Sequence, residues 1–538
     1  MRMRYPTLAL AAVALLAPGR LAAQPKAAEP TVEVRLRSVN DLIDKAEYVG
    51  DLMDKGEPVK QVRELLKNLS ADGKGVEGID PKRPFGVYAT LTPDVATSPV
   101  VVMIPVADEK RLMTAFKERL GVEPEKVEGG ALKANVPLIN EVYLRFADGY
   151  LYAARDAKHL APKTLPAPKA FFAADDGSVA SVVVRFDAIP ADLKTFVTGQ
   201  LEHQVQEGLK KDADNETAAQ KKLNAIIADA FVGSAKMLVD DGKALTLRVF
   251  ADPKADEFTA EVVVTAKDGT TLAKNFAGLS GKTSLPAGIV ATDAAAVKGG
   301  AKAALTDDLR KRLDPVIDKL IDDLVKQAKG TDQVAARRVL DTLAPTLKAG
   351  ELDFAAALAG PDAKGRHALL VAAAVKDGQA IAKLAKDFAP FAGDNAEFTF
   401  DVEKVGAFAL HKIVVKNDDA EFERVFGTKT IWLATSDATV ALSIEPAGAL
   451  LKAGLKAKPA PVAVFSTEVA LAKALPLFNK ELKPDEVKAL LKDAFGAAPA
   501  GKDTIAVAVE GGSKLTTRVT VKGMTFRLAA KMDELKKK

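Results

Sequence analysis

Residues 31–49, TVEVRLRSVNDLIDKAEYV, pass from a strand pattern directly into a helix pattern. The first part has the short apolar alternation of a strand, and apolar residues then recur at helical spacing from Val39 to Val49. A strand that opens into a helix recurs three more times, and such a repeat determines how the whole chain folds. The four predicted opening strands are residues 32–36 (VEVRL), 182–186 (VVVRF), 287–291 (AGIVA) and 462–465 (VAVF).

Each opening strand precedes the same series of predicted elements, namely two amphipathic helices, a pair of strands and a closing helix. In the last unit the Gly511-Gly512 and Lys522-Gly523 turns predict three strands, at 504–510, 514–521 and 524–531. Chance similarity within an Ala-, Lys- and Val-rich sequence is the alternative. The predicted units cover about 30–125, 178–281, 282–390 and 459–535.

A longer repeat accompanies the fourfold one. Residues 150–157 (YLYAARDA) resemble residues 431–438 (IWLATSDA), and each stretch lies between two units, beside a predicted hairpin insert. Residues 24–281 and 282–538 are therefore predicted to be N-terminal and C-terminal halves, each with two units and an insert.

The fold class predicted from these patterns is α+β. Leu245, Leu247 and Val249 alternate with Thr246 and Arg248, which is typical of an antiparallel strand with one buried face. The amphipathic helices before each strand pair would cover that face, since α+β folds place helices on one side of antiparallel sheets.

The N-terminus has the composition of a secretory signal peptide. Arg2 and Arg4 precede the ten-residue apolar run LALAAVALLA at 8–17, which is too short to span a bilayer. Small residues then predict cleavage between Ala23 and Gln24, so residues 1–23 would be removed and the mature chain exported to the periplasm, the cell surface or the medium. An uncleaved amphipathic helix is the alternative.

Composition excludes several classes of protein. The 538 residues contain no Cys, which rules out disulfides, thiol catalysis and Cys-type zinc sites. The net charge is only +4, with both signs interspersed, and one Trp and six Tyr are scattered, so we expect no nucleic-acid partner. No stretch after the leader has the roughly 18 apolar residues of a membrane helix.

Two phosphate or acyl-transfer motifs are incomplete. Gly281-Lys282-Thr283 resembles the end of a P-loop, but Phe276 stands where that loop requires Gly, and Leu285 with Pro286 is expected to introduce a strand rather than a helix. Residues 278–281 (GLSG) resemble a nucleophile elbow, but Lys282 replaces its final Gly.

Metal motifs are also incomplete. Asp212, Asp214 and Glu216 have calcium-loop spacing, but Thr217 replaces the Gly and Leu223 replaces the bidentate Glu. The histidines lack the paired spacing of a zinc site. No catalytic, cofactor or metal residue is therefore predicted. The four histidines are His159, His203, His367 and His411.

The Ala- and Lys-rich body, the leader and the repeated units together resemble exported proteins of planctomycete-type bacteria. This resemblance covers the whole chain without a diagnostic motif and carries over no active residues. It implies an exported, non-catalytic scaffold.

The leading hypothesis is an exported, non-enzymatic structural or interaction protein without a cofactor, because duplicated architecture creates broad surfaces. Its partner would be a protein or an apolar small molecule. The first alternative is a carrier of an apolar ligand, such as a lipid, in a cavity between helices and sheets. The second is a hydrolase whose site is assembled from distant Asp, Glu or His residues.

Overall fold

A computed structural model describes residues 29–54, 56–68, 77–136, 140–173, 177–211, 216–328, 331–416, 419–478, 483–496 and 501–536. The predicted leader and its cleavage site lie outside these residues. The chain divides into two compact units, Met1–Ile43 with Gln61–Val197, and Asp44–Lys60 with Thr198–Lys538. The predicted boundary between residues 281 and 282 stays a prediction.

In its described residues, the first unit is built on eight antiparallel strands. The elements in chain order are β1 (Val32–Leu36), α1 (Val39–Leu52), α2 (Gly56–Asn68), β2 (Phe85–Ala89), β3 (Val100–Pro105), α3 (Glu109–Leu120), β4 (Glu125–Lys126), β5 (Leu132–Val136), β6 (Asn140–Ala147), β7 (Tyr150–Ala154), α4 (Pro168–Phe171) and β8 (Ala180–Arg185). The strands are hydrogen-bonded in the order β8-β1-β2-β3-β7-β6-β5-β4. Helices α1 and α2 each cross a boundary between the units, and so does the helix at Ala191–Lys211.

Apolar side chains cover both faces of the central strands of this sheet. Met103 and Tyr152 are fully buried in one cluster with Phe171, whereas Leu112 of α3 packs in a second cluster with Leu151. Neighbouring residues of β7 thus point into different cores, as strand alternation requires.

Over the residues that the structure describes, the second unit has twelve strands in its main sheet and a separate two-stranded ladder, β11 with β19. Its elements up to residue 426 are α5 (Ala191–Lys211), α6 (Ala218–Asp241), β9 (Gly242–Asp252), β10 (Glu257–Ala266), α7 (Thr271–Gly278), β11 (Thr283–Ser284), α8 (Leu285–Val290), β12 (Ala295–Ala304), α9 (Asp307–Gln327), α10 (Thr331–Ala349), β13 (Glu351–Ala359), β14 (Ala368–Ala374), α11 (Gly378–Phe388), β15 (Ala396–Val405), β16 (Phe408–Val415) and α12 (Ala420–Phe426). The remaining elements are β17 (Thr430–Thr435), β18 (Thr439–Ile444), α13 (Ala449–Gly454), β19 (Ala460–Pro461), β20 (Phe465–Ala470), α14 (Leu471–Phe478), α15 (Pro484–Phe495), β21 (Thr504–Glu510), β22 (Lys514–Lys522) and α16 (Met524–Lys536).

The main sheet of the second unit is antiparallel throughout, in the order β9-β10-β22-β21-β20-β12-β13-β14-β18-β17-β16-β15. Helices α8 and α13 pack on one face, where Ile289 and Leu451 meet Ala357 and Leu370 in a buried cluster. A second cluster, around Leu528 of α16, joins that helix to α14 and α15.

The α+β class is confirmed, because helices and antiparallel strands make up most of the described chain. The last eight strands of the second order, from β20 to β15, follow the same connectivity as the first order from β8 to β4. In addition, the series strand, helix, helix, strand, strand, helix occurs four times, starting at β1, β8, β12 and β20.

Two predicted strands are helices in the structure. Residues 287–291 were predicted as the third opening strand, but α8 occupies 285–290, because the Ser284 hydroxyl caps it and Pro286 favours its first turn. The opening strand is instead β12, whose small residues give little strand signal. Residues 524–531, predicted as a strand, belong to α16, whose sequence MTFRLAAKMDELK is rich in helix formers.

Among the described residues, no helix combines the length and the apolar character that crossing a membrane requires.

Candidate ligand-binding groove

A groove of about 370 Å³ lies on the sheet of the second unit, across the neighbouring strands β20, β12, β13 and β14. Among the described residues, only strand residues line it, so no helix of that part of the chain contributes to its walls. The side chains that define it are Val297, Phe354, Ala356, Leu358, Leu369, Phe465 and Thr467.

Strand register explains why these side chains share one face. Gly299 of β12 pairs with Ala356 on one side and Thr467 on the other. Two residues further along β12, Ala301 pairs with Phe354 and Phe465 in the same way. Because side chains of a strand alternate between faces, every second residue of each strand points into the groove.

The opposite face is closed at β13 and β14, whereas on β12 and β20 it carries the partly exposed ion pair of Lys298 and Glu468. Ala355 and Ala357 alternate with Phe354 and Ala356, and they are buried beneath α8 and α13. Phe465, in contrast, remains 40% exposed on the groove face. At β13 and β14 the sheet therefore has one packed face, and its groove face is apolar and open.

Two adjacent glycines let the strands approach closely at the floor of the groove. A Cβ atom added to Gly299 would lie 2.9 Å from the carbonyl oxygen of Ser466. One added to Gly300 would lie 2.7 Å from the carbonyl oxygen of Phe354, which is backbone and cannot rotate away. Glycine is thus required by close backbone approach.

Charges near the groove are paired. Lys298 and Glu468 form an ion pair at 3.2 Å between Nζ and Oε1, and the Thr467 hydroxyl donates to the carbonyl oxygen of Lys298 at 3.3 Å. On the same face as Lys298, Lys302 contacts Asp353 at 2.6 Å. The groove itself is therefore apolar and presents no unpaired charge among its described lining residues.

His411 is the histidine whose surroundings most resemble those of a catalytic histidine, with a carboxylate and a hydroxyl nearby. Its Nδ1 atom accepts the backbone N–H of Asp401 at 3.1 Å, so Nε2 holds the proton and donates to the Thr435 hydroxyl at 3.3 Å. A general base would need the opposite arrangement, with Nε2 accepting the hydroxyl proton. His411 and Thr435 are also fully buried, and the Asp401 carboxylate pairs with Lys386 at 2.7 Å. This cluster supports the fold rather than catalysis.

The other histidines lie apart from one another. His159 is in the first unit, and His203 is exposed on α5 of the second. His367 is buried at the start of β14, next to the groove. Burial lowers the pKa of His159, His367 and His411.

The incomplete phosphate motif is followed by a helix, not by the strand that was predicted. Ser284 is buried, caps α8 by accepting the N–H of Ala287, and donates to Asp353 at 2.5 Å. The start of this six-residue helix is thus already satisfied by a side chain, and residues 281–283 offer no phosphate cradle.

Acidic residues singled out in the sequence serve local structure or lie outside the described residues. Asp212 and Asp214 are in the latter group, and Glu216 accepts a hydrogen bond from the Asn224 amide at 2.7 Å. In the described part of the chain, no group of three or more His, Asp or Glu side chains could hold a metal ion.

Sequence analysis did not identify the groove. The signal for it in the sequence was the Gly299-Gly300 pair within a run of small residues. The opening strand was predicted at 287–291 instead of at β12, where these glycines lie. Comparison with models of protein families, with curated proteins and with solved structures finds no match to this chain.

Proposed function

We propose that this chain is a non-catalytic binding protein that carries an apolar ligand in the groove across β20, β12, β13 and β14. The open apolar face is the observation that carries this proposal. Its volume, about 370 Å³, falls within the range of roughly 300–1,000 Å³ that is typical of small-molecule sites.

The chemistry of the walls favours a hydrocarbon chain. Phe354, Leu358 and Leu369 offer apolar contact, and the nearby charges already have partners. Each buried methylene contributes about 0.8 kcal/mol, so about ten of them would contribute about 8 kcal/mol before the entropy cost of association. If association costs about 4 kcal/mol, the remaining gain of about 4 kcal/mol corresponds to millimolar binding, so micromolar binding requires about 15 buried methylenes.

We also propose that the protein is exported and that its chain contains a tandem duplication. Export is supported by the charged and apolar leader with its site at Ala23 and Gln24. Tandem duplication is supported by the shared strand order of the two sheets and by the four occurrences of the same element series. The resemblance to exported planctomycete-type proteins agrees with both.

Displacement of an environment-sensitive fluorophore, N-phenyl-1-naphthylamine, by long-chain lipids tests the groove. Ala356→Phe places a ring on the groove face, where the alanine is only half-buried, and should weaken fluorophore binding at least about tenfold by occupying the site. Ala508→Phe is the matched control, because Ala508 is a half-buried strand alanine on the opposite face of the neighbouring strand β21.

The proposal predicts loss of binding in Ala356→Phe and unchanged binding in Ala508→Phe. Equal affinities for the two variants and the unsubstituted protein would show that the fluorophore binds elsewhere, and the groove would lose its assigned role.

A further inference from the structure

His367 continues the groove face beyond Leu369. His367 directly precedes β14 and is two positions from the groove-lining Leu369, so continued alternation of the strand places it about 7 Å away on the groove face. The cross-strand neighbours agree with this placement, because Leu369 pairs with Leu358 and a Cβ atom on Gly360, two residues after Leu358, would lie 3.3 Å from the His367 ring.

The imidazole of His367 is buried without hydrogen-bond partners. The residue is 4% exposed, and neither Nδ1 nor Nε2 has a hydrogen bond to any residue in the part of the chain that the structure describes. The backbone of Lys473 is close enough to favour the protonated ring, but it is not in hydrogen-bond geometry with either nitrogen. A buried polar group without a partner destabilises the protein, so a hydrogen bond from a ligand would be favoured.

Charged groups around the ring already have partners. The Asp362 carboxylate accepts the backbone N–H groups of Lys364 and Arg366 at 2.8 and 2.9 Å. Arg424 is bound through two nitrogens to Glu421. The imidazole, in contrast, has no hydrogen-bond partner among the described residues.

We propose that the ligand is a long-chain carboxylic acid whose hydrocarbon chain lies in the groove and whose carboxylate accepts a hydrogen bond from the His367 imidazole. This inference rests on the proposed function, because it assigns the chemical class of the ligand for the same groove. An apolar chain matches the strand walls, and the carboxylate at its end would satisfy one of the two unpartnered ring nitrogens, the one that carries the proton.

Competition by palmitic acid and by methyl palmitate against N-phenyl-1-naphthylamine tests the assignment. The unsubstituted protein should bind the acid at least about tenfold more tightly than the ester, since a charge-assisted hydrogen bond contributes about 1.5–3 kcal/mol. His367→Phe should bind both within about twofold and keep its affinity for the ester. His367→Asn, which retains an N–H donor, should recover part of the preference, and His203→Phe on exposed α5 is the control.

The outcomes separate the two proposals. If neither lipid displaces the fluorophore from the unsubstituted protein, the carrier function itself is wrong. If both lipids bind it equally, the result agrees with the carrier function but contradicts the assignment of the ligand as a carboxylic acid. If the preference for the acid survives in both His367→Phe and His367→Asn, the site of the carboxylate is elsewhere.

Discussion

A buried carboxylate held by two guanidinium groups occurs in the sheet of the second unit. Glu261 of β10 is 7% exposed and is the cross-strand neighbour of Arg248 on one side and Arg518 on the other. The two arginines approach its separate oxygens at 3.2 and 2.8 Å. This arrangement favours one register of three neighbouring strands, because a slip of β10 by one residue would move Glu261 to the other face of the sheet, away from both arginines.

The first unit contains a similar arrangement. Glu33 of β1 is buried, and its two carboxylate oxygens contact Arg185 of β8 at 2.6 Å and Arg35 of its own strand at 2.5 Å. Both sheets thus place one acidic residue between two arginines on a polar stretch of strand.

Glu261→Gln tests the role of the carboxylate. It should lower the free energy of unfolding by about 2 kcal/mol, less than the 3–5 kcal/mol for a fully buried pair, because Arg248 and Arg518 still reach solvent. Chemical denaturation measures the difference. Glu257→Gln removes the more exposed pair with Lys522 and should cost under about 1 kcal/mol; equal effects of the two substitutions would contradict the account.

His411 gives the protein a defined pH dependence. Burial lowers its pKa in the folded state, so the unfolded chain binds this proton more readily. The free energy of unfolding should therefore decrease as the pH falls below about 6.5, the ordinary value for histidine, until the lower folded value is passed. His411→Gln should reduce the slope of the unfolding free energy against pH by up to about 1.4 kcal/mol per pH unit, which is the value for the uptake of one proton.

Urea unfolding at several pH values between about 7 and 5 measures this slope. His203→Gln, on the exposed side of α5, is the control and should leave the slope unchanged. If His411→Gln also leaves it unchanged, burial of the imidazole does not control the acid stability of the fold.

At the scale of elements, the sequence pattern predicted strands correctly where apolar and polar residues alternate, and it missed strands that consist of small residues. Alternation predicted the strand β9 correctly, but the predicted buried face was wrong at Val249, which is 43% exposed, and Leu245 and Leu247 are only half-buried. Strand β12, with sequence AAVKGGAKAA, has almost no β-branched residues and is held by pairing with β13 and β20. Short apolar runs such as 287–291 suit a buried helix as well as a strand, so only packing distinguishes them.

Turn chemistry contained a signal that sequence analysis did not use. Asp148 and Gly149 join β6 to β7, and both have positive φ, at 51° and 71°. An Asp-Gly pair between two strands is the strongest short-range indication of a tight hairpin. The groove had no comparable signal, because it depends on which strands become neighbours across more than 150 residues.

The glycines of β12 determine whether β20 and β13 can approach it. Gly300→Ala should destabilise the protein by about 1–3 kcal/mol, because its methyl group would meet the backbone carbonyl of Phe354 at 2.7 Å. Gly199→Ala is the matched control on helix α5, where an added Cβ meets nothing within 4 Å and should stabilise by about 0.5–1 kcal/mol. Thermal unfolding of both variants compares them, and stabilisation by Gly300→Ala would contradict the close-approach argument.

At the scale of the whole molecule, connectivity repeats although sequence does not. The strand orders β8-β1-β2-β3-β7-β6-β5-β4 and β20-β12-β13-β14-β18-β17-β16-β15 match position by position. The similarity between residues 150–157 and 431–438 is displaced by one strand, since β7 corresponds to β18 in this order while residue 431 lies in β17. Element order and sequence similarity therefore indicate different correspondences between the strands of the two sheets.

Native mass spectrometry of the full-length protein, purified from its cells without detergent, tests the central claim most directly. The account predicts a bound species of a few hundred daltons that is released as a long-chain carboxylic acid and is absent from the Ala356→Phe variant. A protein that carries only its own mass, both as purified and after incubation with palmitic acid, would contradict the claim that the open sheet face is a ligand site.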